Sequence, residues 1–137
     1  MPNINPYNQY KQTSVETASP EKLILMLYDG AIKFINQAKI SMDEKNIEEI
    51  NKALIKTQNI ISELIIGLNM DTGEIARNLY NLYDYFQRRL VEANTKKDTG
   101  ILDEVLGYLE ELRDTWAEAA AKIKSSSGVV NGVNIEG

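Results

Sequence analysis

Four long stretches of this chain repeat apolar residues every three or four positions, and together they carry more than one bundle core can hide. Successive helix residues turn by about 100°, so a core-facing stripe occupies a limited sector of the helix circumference. Between Leu23 and Ile35 the apolar positions instead sweep roughly half of the circle. In the second stretch, Ile55 and Ile66 point well away from the stripe of Ile50, Leu54, Ile61, Leu64 and Leu68. Amphipathic helices of similar length predict an all-α bundle, and the surplus then serves a partner, an oligomer interface or a flap of the chain itself.

Polar punctuation sets the ends of the helices. Ser19-Pro20-Glu21 is a helix start: Ser accepts from an orphan N–H, Pro tolerates the first helical position, and Glu suits the positive dipole end. The first helix is expected over residues 20–43. Gly30 lies inside it, beside the Leu23, Leu27, Phe34, Ala38 stripe, at a cost of about 1 kcal/mol relative to Ala. That placement predicts the close approach of a neighbouring helix.

Asn46-Ile47-Glu48-Glu49 reads as a capping box, starting a helix that runs to about Leu68. Thr72 is the expected cap of a third helix, which carries Ile75, Leu79, Leu82, Phe86, Leu90 and Ala93 and ends near Lys96-Lys97. After the turn signal Asp98-Thr99-Gly100, the fourth helix carries Ile101, Val105, Tyr108, Leu112, Trp116, Ala119 and Ile123. Ser125-Ser126-Ser127-Gly128 is its expected stop. The organisation so read is an N-terminal arm over residues 1–18, a four-helix bundle over 19–124 and a flexible Gly/Asn-rich tail over 125–137. Helices of about 22–26 residues span roughly 33–39 Å, and short connections make neighbours antiparallel, up-down-up-down.

Composition excludes whole classes of function. With no Cys there is no disulfide, thiolate nucleophile or Cys-held metal, and with no His the commonest general base and metal ligand are missing. The Glu-x-x-His pairs of di-iron bundles cannot be built. Neither GxGxxG nor GxxxxGK[ST] occurs, so no phosphate loop is expected. A net charge of −5, with Arg88-Arg89 and Lys96-Lys97 diluted by nearby acids, argues against a nucleic-acid partner. No run approaches the roughly 18 apolar residues of a membrane span, and the polar first ten residues lack a signal pattern. The expectation is a cytosolic protein without cofactor, metal or membrane insertion, at most a weak dimer.

The candidate docking residues are therefore Ile24, Tyr28 and Ile32 on the first helix, Ile55 and Ile66 on the second, and Tyr80 and Val91 on the third. Each alone passes as a rim position covered by long neighbouring side chains. As a set they exceed what a monomer ordinarily exposes. Tyr7 and Tyr10 stand apart as two aromatic anchors in an otherwise polar arm. Three residues apart, they share a face if the arm forms a turn, and such an arm can fold over an apolar groove as a lid. Asp84 and Arg88 are spaced for an i,i+4 ion pair. Trp116 falls on the core stripe of its helix.

Several blocks of this chain resemble one family. Tyr7-Asn8-Gln9-Tyr10, Ser19-Pro20-Glu21-Lys22-Leu23-Ile24-Leu25-Met26-Leu27-Tyr28-Asp29-Gly30-Ala31, Gly73-Glu74-Ile75-Ala76-Arg77-Asn78-Leu79-Tyr80-Asn81-Leu82-Tyr83-Asp84-Tyr85 and Arg88-Arg89-Leu90-Val91-Glu92-Ala93-Asn94 are similar to the bacterial flagellar secretion chaperones, the FliS family. The likeness covers about residues 7–120. It implies a bundle that holds the disordered C-terminal segment of flagellin in the cytosol, prevents premature polymerisation and delivers flagellin to the cytosolic domain of the export gate protein FlhA. It also implies an arm that covers part of the client groove, with Tyr10 the better match to the family's arm tyrosine.

Two other readings follow from the same residues. A structural or regulatory bundle would self-associate through the apolar strip, with concentration-dependent size and no client. An enzyme would rely on carboxylates such as Asp29, Asp84 or Glu74, but the sequence sets no two ionisable groups in divergent environments.

Overall fold

The computed structural model describes residues 19–136. They form four helices, α1 (Pro20–Asp43), α2 (Ile47–Ile66), α3 (Glu74–Lys96) and α4 (Thr99–Glu136), with one 3₁₀ turn at Met70–Thr72. Each helix packs on the next, and α4 returns to α1, closing a ring in chain order. Connections this short leave neighbours antiparallel, so the all-α, up-down-up-down bundle expected from the sequence is the fold. The arm over residues 1–18, with Tyr7 and Tyr10, lies outside the described residues.

Local chemistry starts each helix. The Ser19 hydroxyl accepts from the Lys22 N–H at 3.3 Å, with Pro20 in the first turn. Asn46 Oδ1 accepts from the Glu49 N–H at 3.2 Å, the cap expected of it. Asp98 Oδ1 takes the N–H groups of Gly100 at 2.8 Å and Ile101 at 3.3 Å and so caps α4. Two non-glycine residues, Lys45 and Lys97, take left-handed backbone conformations just past α1 and α3. There the following N–H groups return to the last turn, as in the Asn46 N–H to Ser41 carbonyl bond of 2.9 Å.

The third helix begins differently from expectation. Asn69 Oδ1 captures the Asp71 N–H at 3.1 Å, and the Met70–Thr72 turn it organises moves the helix start forward. The cap is Gly73 rather than Thr72, without a side-chain bond, at φ +107°, a value that suits glycine. The fourth helix also departs from expectation. The stop expected at Ser125-Ser126-Ser127-Gly128 does not end it, and the helix continues to Glu136. Ser and Gly are weak helix formers, but no proline stands there to remove a donor, so each residue can still add its backbone bond.

The core runs the length of the ring. Ile35, Leu54, Ile61, Phe86, Leu90, Leu102, Val105 and Leu109 are buried on the facing sides of all four helices. Gly30 does what its position predicted: a Cβ there would meet Ile60 Cδ1 at 3.0 Å, so the missing side chain lets α1 and α2 approach. Buried Thr57 is satisfied within its own helix, its hydroxyl donating to the Ala53 carbonyl at 2.9 Å. Ion pairs lace the outer seams. Arg113 reaches Asp29 at 2.8 Å and Lys39 reaches Asp103 at 2.5 Å between α1 and α4, and Arg88 pairs with Asp84 at 3.2 Å along α3.

Candidate docking groove

One end of the bundle is left open. The start of α1, the end of α2, the start of α3 and the later part of α4 meet there, as antiparallel order requires, around a cleft of about 510 Å³. Its walls are Pro20, Leu23, Ile24 and Leu27 from α1, Leu64, Ile66 and Leu68 from the end of α2 and beyond, Ile75, Ala76, Leu79 and Tyr83 from α3, and Trp116 from α4. Glu63 and Asn69 bring polar groups to its edge. Ile66 is 74% exposed and Ile75 77% exposed, which is costly placement for branched apolar side chains unless something covers them.

A polar node lies against this apolar cleft. The hydroxyls of Tyr28 and Tyr83 hydrogen-bond to each other across the diagonal of the bundle, from α1 to α3. Burial pushes the Tyr28 hydroxyl far above the ordinary tyrosine range, and the neighbouring Tyr83 pushes it the same way. Burial also raises Tyr83. Both remain neutral, and each satisfies part of the other's hydrogen-bonding capacity where water cannot reach.

The sequence-derived candidates divide among three places. Ile24 and Ile66 line the cleft. Ile55, Tyr80 and Val91 are exposed, but outside it. Asn94 Nδ2 donates to Asn51 Oδ1 at 2.9 Å, and Gln87 Nε2 donates to the Gln58 carbonyl at 3.0 Å and Ser62 Oγ at 3.1 Å. These bonds fix the register of α2 against α3, bringing Ile55 level with Val91 and Ile66 level with Tyr80. Between those two levels Gln87 Oε1 is buried with no hydrogen-bond partner among the described residues.

Tyr28 is a correction, and Ile32 belongs to neither group. Tyr28 is wholly buried rather than surplus, because its hydroxyl finds Tyr83 inside the bundle. Ile32 is half-buried against the core and lines no part of the cleft. Leu27 and Leu64 are buried core residues, as their stripe predicts, that also line the cleft; Leu23, Leu79 and Trp116 read as core stripe too, yet they stand only half-buried in its wall. Their periodicity is that of core residues. What differs is the absence of a facing side chain, which periodicity does not carry.

Beyond the cleft, α3 and α4 are joined by a charged relay. Tyr85 donates to Glu104 Oε2 at 2.5 Å, Arg89 Nε to Glu104 Oε1 at 2.8 Å, and Arg89 also holds Glu92 at 2.7 Å. The Tyr85 hydroxyl and the Arg89 guanidinium hold the Glu104 carboxyl below the usual carboxylate range. This relay closes the α3–α4 seam outside the cleft. Among the described residues no cluster of carboxylates is arranged to hold a metal, and no helix is long and apolar enough to cross a membrane.

An all-helical bundle with an open apolar cleft at one end defines a binding protein of the helical-bundle class. A family model described as "Flagellar protein FliS" matches residues 3–123. This chain belongs to the FliS family. It is 49% identical over 115 residues to the flagellar secretion chaperone FliS of Bacillus subtilis (strain 168), covering 84% of this chain and 86% of that one. It is 40% identical over 119 residues to the flagellar secretion chaperone FliS of Salmonella typhimurium (strain LT2), covering 82% and 88%. A solved structure described as "Crystal structure of flagellar chaperone from bacteria" superposes with a TM-score of 0.71 over 85% of this chain and 95% of that one. At 21% identity, that match speaks for the fold alone.

Proposed function

We propose that this protein is a flagellar secretion chaperone that binds the disordered C-terminal segment of flagellin in the cytosol. By holding that segment it prevents premature polymerisation, and it then delivers flagellin to the cytosolic domain of FlhA. The work is binding rather than catalysis. The observation that carries this reading is the open apolar cleft between the starts of α1 and α3 and the end of α2, in a chain of this family. A disordered client loses ordering free energy when it folds on a surface, so it needs apolar anchors set in a receiving groove. Ile24 and Ile66 are the groove residues of that interface, and the exposed Ile55, Tyr80 and Val91 extend it along the α2–α3 seam.

In the same reading residues 1–18 act as a displaceable lid, with Tyr10 and Tyr7 as anchors. The arm joins the described chain at Ser19, next to groove-lining Pro20, and this junction supports the lid reading. Co-purification with flagellin that keeps or lacks its C-terminal region tests the function. Capture of full-length flagellin alone supports it. Equal capture of both forms, or of neither, rejects it. Concentration-dependent size without a client would favour the self-associating bundle instead.

A further inference from the structure

The exposed apolar residues of the α2–α3 seam fall into two rungs. Ile55 on α2 stands level with Val91 on α3, and Ile66 stands level with Tyr80, in the register that the Asn51–Asn94 and Gln58–Gln87 bonds set. Along each helix the step from one rung to the other is eleven residues. Eleven residues make three turns plus about 20°, so both rungs open on the same outer side of the seam. They lie roughly 16 Å apart at 1.5 Å per residue. Between them the lips are polar: Asn59 and Ser62 are exposed on α2, and Asp84 pairs with Arg88 at 3.2 Å on α3. Ile55 and Val91 are each 55% exposed. The other rung is continuous with the cleft, because Ile66 belongs to both.

We propose that the α2–α3 seam receives the client as an α-helix whose two apolar anchors are eleven residues apart, with polar residues on the same face between them. The inference rests on the cleft and its extension along the seam being the client site. The spacing is what selects a helix. In a helix, residues i and i+11 share a face and stand as far apart as the two rungs. An extended segment rises about 3.3 Å per residue and covers the same distance in about five residues. Five is odd, so its two anchors would point to opposite faces, and only one could enter the seam. A helix laid between α2 and α3 also runs nearly parallel to both, at about 20°, which keeps the two spacings matched. The polar stretch adds discrimination. Apolar client residues laid there would cover Asn59, Asp84 and Arg88 and take their water away without replacing its bonds.

The test uses the full chain and the C-terminal segment of flagellin. The chain has no cysteine, so Ile55→Cys and Ile66→Cys each offer a single attachment point for a short photo-reactive label. Each labelled protein is bound to the segment and irradiated, and mass spectrometry locates the client residue that is joined. The two joined residues should lie about eleven positions apart in the client. Any other separation, above all the roughly five positions of an extended segment, overturns the inference. Capture from Ile66→Cys alone overturns it as well. Titration calorimetry gives a second readout that no label disturbs. Val91→Asp should bind about tenfold more weakly, with its melting temperature within about 2 °C of wild type, because the charge is covered only in the complex. Asn59→Ala, between the rungs, should stay within about threefold. Equal losses in both variants overturn the inference alone. No binding to wild type overturns the client reading and this inference with it.

Discussion

The two ends of the bundle share one apolar periodicity and finish in opposite states. Where α1 turns into α2 and α3 into α4, Ala38, Ile50, Leu90, Ala93 and Leu102 are buried. Where α1 and α3 begin and α2 ends, Leu23, Ile66, Ile75 and Leu79 surround a cleft. The connections account for the difference. Residues 44–46 and 97–98 are tight returns that draw helices together, with Lys45 and Lys97 taking strained left-handed conformations to do so. Residues 67–73 hold a 3₁₀ turn and the positive-φ Gly73, and they deliver α3 with its first apolar residue, Ile75, still in solvent. An amphipathic stripe states which face is apolar. The loops decide whether anything closes over it.

The sharpest way to break this comparison is at the closed centre. Phe86→Ala removes a wholly buried ring and should destabilise the protein by about 3–5 kcal/mol in chemical denaturation. The folded fraction should still bind flagellin within about twofold of wild type, since Phe86 itself walls no part of the groove. A larger loss of binding than of stability would mean that core and groove are not separable. At the open end the pattern should invert. Ile66→Asp exposes its charge to water in the free protein, so the melting temperature should move by no more than about 2 °C. Covered by a client, the same charge is unpaired, and affinity should fall more than tenfold. A collapsed melt with normal binding would make Ile66 a structural residue.

A gain at the closed end should be silent at the groove. Lys45→Gly relieves a left-handed backbone conformation at the α1–α2 return and should stabilise by about 0.5–1 kcal/mol, raising Tm by a few degrees, with affinity unchanged. The smallest effect concerns acid. The Glu104 carboxyl is held below its ordinary value by Tyr85 and Arg89, so its contribution is present above the unfolded pKa and lost as pH falls through the folded one. Tm should therefore decline on acidification through and below the ordinary glutamate value of 4.5, and Glu104→Gln should flatten part of that decline. An identical slope in the variant would show that the relay at the α3–α4 seam does not contribute.

What was legible in the sequence is what local chemistry decides. Ser19 and Asn46 cap their helices with bonds to residues three positions on, so the sequence itself holds the answer. Gly30 was legible because a glycine on a core stripe has few other uses. Thr72 misled because Asn69 builds an extra turn first, a competition between two good local caps. Tyr28 misled for a deeper reason. Its angular position lies off the core stripe, and only a hydroxyl 55 residues away makes its burial tolerable. The cleft itself was half visible. Ile24 and Ile66 stood out as surplus, while Leu23, Leu79 and Trp116 looked like ordinary core because the missing neighbour is not written beside them.

Trp116 is the chain's one tryptophan, and it stands in the wall of the cleft. The molecule thereby carries a built-in optical reporter of the groove. Any segment that enters displaces water from the indole and should shift its emission to shorter wavelength, without a label and on the time scale of mixing. Arrival of a client and departure of a lid would then be two separable kinetic phases of one intrinsic signal, and deletion of residues 1–12 would remove the slower of them if the lid must leave first.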